Sequence, residues 1–214
     1  MRSTLGAHNI IDRTFCQRIA LKNKPLVLAS SSLYRQELLK RLRLPFTAVS
    51  PDIDESPAPG ETPPATALRL AEEKARALAA RFPDALIIGS DQVAELDGLA
   101  IGKPGDHADA VKQLTAASAH TVYFHTALCL LDAGVGQAQT KIATNEVKFR
   151  ALTPEQIERY LLAEKPYDCA GSAKSEGLGI TLIESIRGDD PNALIGLPLI
   201  ELTTMLMRAG AEIA

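Results

Sequence analysis

Residues 85–92 read Ala85-Leu86-Ile87-Ile88-Gly89-Ser90-Asp91-Gln92. The first four are apolar without alternation, the pattern of a strand covered on both faces, and they deliver two small residues and then an acid at the strand's carboxyl end. Upstream, Leu26-Val27-Leu28-Ala29 is a second such run and leads into Ser30-Ser31-Ser32; beyond it Leu38, Leu39 and Leu42 recur on one helical face. Ser31 or Ser32 is therefore expected to cap a helix reaching about Arg43. Between the two strands lie a third near Phe46 to Val49, the polar run Ser50-Pro51-Asp52-Ile53-Asp54-Glu55, a Pro/Gly-rich loop, and a helix from Pro63 to about Arg81 started by Thr62 and paired prolines. Strand, helix and strand in alternation predict parallel βαβ pairing and an α/β fold.

Downstream the grammar changes. Asp97-Gly98, between Val93 to Leu96 and Leu99 to Ile101, reads as a hairpin turn. Asp106 is placed to cap a helix to about Ser118, and two long segments, roughly 120–131 and 137–149, suit an antiparallel hairpin. Thr153-Pro154-Glu155-Gln156 has the form of a capping box for a helix to about Lys165. Pro198 to Arg208 reads as a last helix, with Gly210 near its stop. Residues 1–24 lack sustained periodicity and are expected to be an extension, poorly ordered or loosely docked, on a single domain spanning 25–210.

Composition narrows the functional classes. The chain has 214 residues, 46% of them hydrophobic, and a formal charge of −3, enough to bury a substantial core. Without a basic tail or patch it lacks the field that a nucleic-acid polymer requires; a polyanionic small molecule needs only a few lysines. The apolar runs fall far short of the roughly 20 residues that span a bilayer, no signal-peptide core opens the chain, and the expected location is the cytoplasm. Cys16, Cys129 and Cys169 have no disulfide or zinc spacing and read as reduced thiols; His8, His107, His120 and His125 form no metal spacing.

Asp52, Asp54, Glu55 and Asp91 are all expected in loops that follow strands, and in parallel α/β sheets ligands bind where such loops converge. Asp91, directly after an apolar strand and Gly89-Ser90, is the acid held most firmly. Ser30 to Ser32 with Arg35 places hydroxyls, backbone N–H groups and a fixed cation at a helix N-terminus, a ready anion site. Lys103 follows Gly102 and precedes Pro104, Lys174 lies in the small-residue run Ala170 to Gly177, and Lys74 lies on a helix; taken singly, each of the three lysines reads as a solvated surface side chain rather than a site. No G-x-x-x-x-G-K-[ST] loop or dinucleotide fingerprint is present. Asp52-x-Asp54 leaves open a metal-dependent transferase, although a pattern so short recurs by chance.

The ordered stretches Leu28-Ala29-Ser30-Ser31-Ser32 with Arg35, Asp54-Glu55, Glu73-Lys74-Ala75, Gly89-Ser90-Asp91-Gln92, Gly102-Lys103-Pro104, Ala170-Gly171-Ser172 with Lys174, and Gly188-Asp189-Asp190-Pro191-Asn192 through Gly196-Leu197-Pro198-Leu199 resemble the Maf nucleoside triphosphate pyrophosphatases. The resemblance spans about Pro25 to Arg208. It implies a twisted mixed β-sheet with flanking helices in two lobes around a central cleft. It also implies hydrolysis of the α–β phosphate bond with a divalent cation, magnesium or manganese. Asp91 takes the general-base position, Glu55 and Asp91 the metal positions, and Ser30, Arg35, Lys74, Lys103 and Lys174 the phosphate contacts. Tyr34, Gln92 and Glu176, with the run Cys169 to Gly177, are similar to the 7-methyl-GTP branch; the dTTP/UTP branch usually carries arginine, threonine and glutamine there. Tyr34 departs from that branch, where a larger indole is common. The implied partner is a small-molecule nucleotide, with a homodimer left open as the assembly. A dTTP/UTP enzyme and a nucleotide-binding regulator of cell division are the alternatives.

Overall fold

Residues 24–213 are described by a computed structural model. Apart from Lys24, the expectation for the N-terminal extension lies outside the described residues. Three strands, β1 (Leu26–Ala29), β2 (Thr47–Val49) and β3 (Leu86–Leu96), run parallel in the order β2-β1-β3. From β3 outward the pairing is antiparallel: β4 (Leu99–Ile101) pairs with its far half, and β5 (Thr121–Asp132), β6 (Gln137–Phe149) and β7 (Ile183–Arg187) follow on the other edge. The result is a mixed seven-stranded sheet among the described residues, flanked by α1 (Leu33–Lys40), α2 (Pro63–Ala77), α3 (His107–Ala117), α4 (Pro154–Glu164) and α5 (Leu199–Arg208). None of these helices is long and apolar enough to cross a membrane.

The period of two along the strands divides the core. Leu26, Leu28, Leu86 and Ile88 meet Leu38 and Leu39 of α1 and Leu202 and Leu206 of α5 on one face. Val27, Ala29 and Ile87 meet Ala67, Ala71 and Ala75 of α2 on the other. The opposite end of the sheet has its own core, where Ala94, Phe124, Val147 and Phe149 pack on Ala110 and Leu114 of α3 and Ile157 and Leu161 of α4. Two packed ends on one continuous sheet form the two lobes, and the cleft lies between them.

The capping readings hold: Ser32, Asp106 and Thr153 accept from the backbone N–H of Arg35, Asp109 and Gln156, and the last of these is a full capping box. The helices α1 and α2 end short of Arg43 and Arg81, in tight turns. The main correction concerns β3. Asp91 does not lie in a loop after a strand; it lies inside one. The strand runs on because β5 pairs with it continuously from Leu86 to Glu95, while its parallel neighbour β1 pairs only as far as Ile88 and β4 joins only at Ala94. Gly89 to Val93 therefore faces the cleft with one open edge.

Candidate active site

Alternation along β3 sends Asp91 toward α2 and Ser90 and Gln92 toward the opposite face. Asp91 is 7% exposed and Lys74 only 4%. Lys74 Nζ lies 2.7 Å from Asp91 Oδ1 and 3.0 Å from Glu55 Oε1. Lys74 is thus not a solvated helix residue but a buried cation between two carboxylates. A carboxylate with so little water is stable as an anion only with such a partner. The contact of α2 with β3 that makes the pair possible depends on Gly89, where a Cβ would lie 2.0 Å from the Ala71 carbonyl oxygen.

At the carboxyl end of β1 the serine run sets hydroxyls, backbone N–H groups and the Arg35 guanidinium side by side. Ser30 Oγ accepts from the Ser32 backbone N–H at 3.1 Å and from Arg35 Nη1 at 3.4 Å. Arg35 Nε donates to the Gly196 carbonyl at 2.9 Å, and Ser90 Oγ lies 3.0 Å from the same oxygen. Burial pulls the Arg35 pKa down while the nearby charges of Asp91 and Glu55 hold it up; a guanidinium stays charged throughout. The N-terminus of α1 thus joins its cation to the field of the two acids.

These groups line a cleft of about 920 Å³ with Tyr34, Gln92, Lys103 and Glu176, within the size range of small-molecule sites. Lys103 is exposed on its rim. Tyr34 sits where the lobes approach: Lys174 Nζ lies 5.4 Å from its ring centroid, and burial, followed by Cys169 and Asp168, raises the phenol's pKa. Lys174 itself is paired with Glu164 Oε1 at 3.1 Å, so it stands behind Tyr34 rather than free in the cleft. Gln92 is also committed, its Nε2 lying 2.8 Å from Thr126 Oγ1 and 3.1 and 3.0 Å from the carbonyls of Ala193 and Leu194.

Asp52 and Asp54 do not join the site. Both are exposed, neither lines the cleft, and Asp54 Oδ1 accepts from the Ser56 backbone N–H at 2.9 Å as a turn acid. The transferase reading loses its motif. Residues that the sequence reading missed are supports: Thr126 under Gln92, Glu164 under Lys174, and Gln113. Gln113 Oε1 accepts from Ser172 Oγ at 2.6 Å and its Nε2 donates to the Gly102 carbonyl at 3.1 Å. Gln113 thereby ties the loops of Lys103 and Lys174 together, and nothing in its sequence neighbourhood announces that.

Asp91 and Glu55 present two hard oxygen donors around one point, now filled by an ammonium group. That set suits a small divalent cation that keeps waters and takes its remaining ligands from phosphate oxygens. Among the described residues there is no cluster of three or more His, Cys, Asp and Glu side chains that would enclose a metal without substrate.

The sequence pattern of the family described as Maf-like protein matches residues 25–209. The chain belongs to the Maf family. Among its Maf relatives, a protein of Methylobacillus flagellatus is 59% identical over 189 residues, 88% of this chain and 98% of its own. One of Burkholderia thailandensis is 60% identical over 188 residues, 86% and 87% of the two chains, and one of Ralstonia nicotianae is 60% identical over 182 residues, 85% and 94%. All three are named 7-methyl-GTP pyrophosphatase. The solved Staphylococcus aureus Ham1 protein aligns over 60% of this Maf chain and 73% of its own, at 17% identity and a TM-score of 0.43.

Proposed function

We propose that this Maf protein hydrolyses 7-methyl-GTP to 7-methyl-GMP and pyrophosphate, with Asp91 as general base. The observation that carries the chemistry is the buried Asp91, bonded to Lys74 and open to the cleft along a free strand edge, in a chain 59% identical to a protein named for that activity over 98% of that protein's length. A carboxylate held rigidly on a strand can take the proton of a water attacking the α-phosphorus. The α–β anhydride bond then breaks, and pyrophosphate leaves with the bonding electron pair. No covalent enzyme intermediate is needed.

The cationic and N–H groups suit the charge of the triphosphate. Ser30, Arg35 and the first turn of α1 offer donors to its oxygens, and Lys103 stands on the rim without an ion pair among the described residues. Donors fixed before the reaction stabilise the extra charge that develops on the leaving oxygen. Lys74 exchanges contact between Asp91 and incoming phosphate, which frees an Asp91 oxygen for water or metal. A divalent cation bound by Glu55 and Asp91 would neutralise phosphate charge. Across the cleft, Tyr34 and Glu176 are offered to the base.

The test is a panel of canonical and modified nucleoside triphosphates with products resolved by chromatography, with and without added magnesium or manganese. The expected result is the highest kcat/KM for 7-methyl-GTP, with 7-methyl-GMP and pyrophosphate as products and loss of turnover in chelator. A preference for dTTP or UTP would move the protein to the other branch. Binding of nucleotide without turnover would leave a regulator.

A further inference from the structure

Beside the cleft lies a second pocket of about 390 Å³, lined by Asn145, Ile186, Gly188 and Pro191, and sharing Ser175, Glu176, Leu194 and Ile195 with the cleft. Asn145 is 1% exposed, and its Oδ1 has no hydrogen-bond partner. Buried polar atoms left unpaired are few in native proteins, and each asks for a reason. Here the surroundings are built around the amide. The pairing of Glu146 with Arg187 puts Asn145 opposite Gly188, and a Cβ at Gly188 would lie 2.1 Å from Asn145 Nδ2. Only a residue without a side chain leaves the amide its place.

The row is also the right one. Asn145 pairs with Phe124, and Phe124 with Ala94, on the sheet face that carries Ser90 and Gln92. From Asp91 to Asn145 is two strand spacings across the sheet and three residues along it, about 14 Å between backbones, a span that the two side chains and a nucleotide's phosphate-to-base length bridge together. Gln92, the other amide in this region, already has its Nε2 against Thr126 and the 193–194 carbonyls. Asn145 and Glu176 line one pocket, and apart from a 3.5 Å contact of Glu176 with its neighbour Ser175 their acceptor oxygens have no hydrogen-bond partner; a small turn of the buried amide would present its Oδ1 to a ligand there.

We propose that Asn145 is a base-reading residue whose Oδ1 accepts a hydrogen bond from the 2-amino group of a guanine-type base, with the adjacent N1–H directed to Glu176. The proposal rests on the reading of the substrate as a guanine nucleotide and adds the residue that selects it. Two acceptors on one pocket suit the two neighbouring donors on guanine's Watson–Crick edge. Uracil and thymine present one N–H between two carbonyls and would set like dipoles against the pair. Hypoxanthine differs from guanine by the amino group alone, so it isolates the bond assigned to Asn145.

The experiment measures kcat/KM for 7-methyl-GTP against 7-methyl-ITP, and for GTP against ITP, in the wild type, Asn145→Asp and Asn145→Ala, with each fold checked by circular dichroism and melting. Calorimetric binding of the same four nucleotides supplies the ratios if turnover is too slow to follow. The wild type is expected to favour each 2-amino partner by at least about tenfold, as a site built to bond a polar group rejects the analogue that lacks it. Asn145→Ala should bring both ratios near one, mainly through KM of the 2-amino substrate, and Asn145→Asp, which keeps an acceptor, should retain the preference. A ratio that survives Asn145→Ala, an equal loss on both partners, or a wild type indifferent to the amino group would each overturn the proposal. A wild type that handles GTP as well as 7-methyl-GTP yet rejects ITP overturns only the 7-methyl assignment and supports Asn145.

Discussion

Asp91 is fixed by constraints that a loop would not supply. Its backbone is paired with Ala127 of β5, and its side chain with a lysine that is itself buried. Asp91→Asn keeps the shape and removes the base, so kcat should fall by about 10² to 10⁴ with nucleotide binding largely retained. Single-turnover rates beside calorimetric titrations check this, and a near wild-type rate would remove Asp91 from the mechanism. Thiols are the opposite case. Burial pushes the Cys129 thiol up to about 12, and burial with Asp168 pushes that of Cys169 up to about 12. Thiolate, the reactive form, is therefore scarce at neutral pH. Native alkylation at pH 7 should leave both unlabelled by peptide mass mapping, although Cys169 lines the cleft; rapid labelling of Cys169 would contradict its described environment. Residue by residue, the sequence exposed Ser30, Arg35, Glu55 and Asp91 because each stands beside a local signal. Lys74, which alone reads as solvated, carries a contrary signal: Thr66, Leu70 and Lys74 are four apart, so the lysine lies on the stripe that α2 buries. A charge read alone looks solvated, and its partners, distant in sequence, decide otherwise.

At the scale of elements, helix starts were legible and strand extents were not, because caps are written in adjacent residues whereas a strand ends where its partners end. Nothing within Gly89 to Val93 says that β5 will pair along it, and β7 pairs with β6 alone among the described residues. The hairpin at Asp97-Gly98 was legible because both residues take positive φ, 52° and 81°, as an Asp-Gly turn allows. The contact of α2 with β3 carries the most consequence, since it sets Lys74 against Asp91. Gly89→Ala would press a methyl into the backbone of α2 at Ala71, where no side chain can rotate away. Overpacking of this kind typically costs about 1–3 kcal/mol, and the helix must shift as a unit. The expected result is a lower urea midpoint together with a disproportionate loss of kcat as Lys74 and Asp91 separate. Unchanged stability and rate would show that α2 has more freedom than the packing implies.

For the whole molecule, the two lobes line the cleft from opposite sides. The parallel end brings Ser30, Arg35, Lys74 and Asp91, the antiparallel end brings Glu176 and Lys103, and Tyr34 of the first meets Lys174 of the second. The match to the Maf family begins at residue 25, so deleting residues 2–22 should leave kcat/KM intact, and a collapse of activity in a folded truncation would give the extension a catalytic part. Selectivity belongs to this scale too, because it needs both lobes at once. Methylation at N7 gives guanine a positive charge that GTP lacks. Tyr34 already has one cation near its ring, Lys174, which is held by Glu164; a cationic base would use the remaining face, worth about 0.5 to 2 kcal/mol. Glu176 supplies an anion at the rim, and a hydrogen bond to a charged group contributes roughly 1.5 to 3 kcal/mol. Glu176 is exposed, and water screens it, so its share belongs at the lower end of that range. Together these interactions allow discrimination of about tenfold to a thousandfold. Glu176→Gln keeps the size and an acceptor but removes the charge, and should lower kcat/KM for 7-methyl-GTP by about tenfold while pyrimidine triphosphates, neutral at the base, change little. The selective loss should shrink at high salt, because an exposed charge is screened. A uniform loss across substrates would assign Glu176 to holding the 174–177 loop, and the measured preference would then have to come from Tyr34 and the second pocket alone.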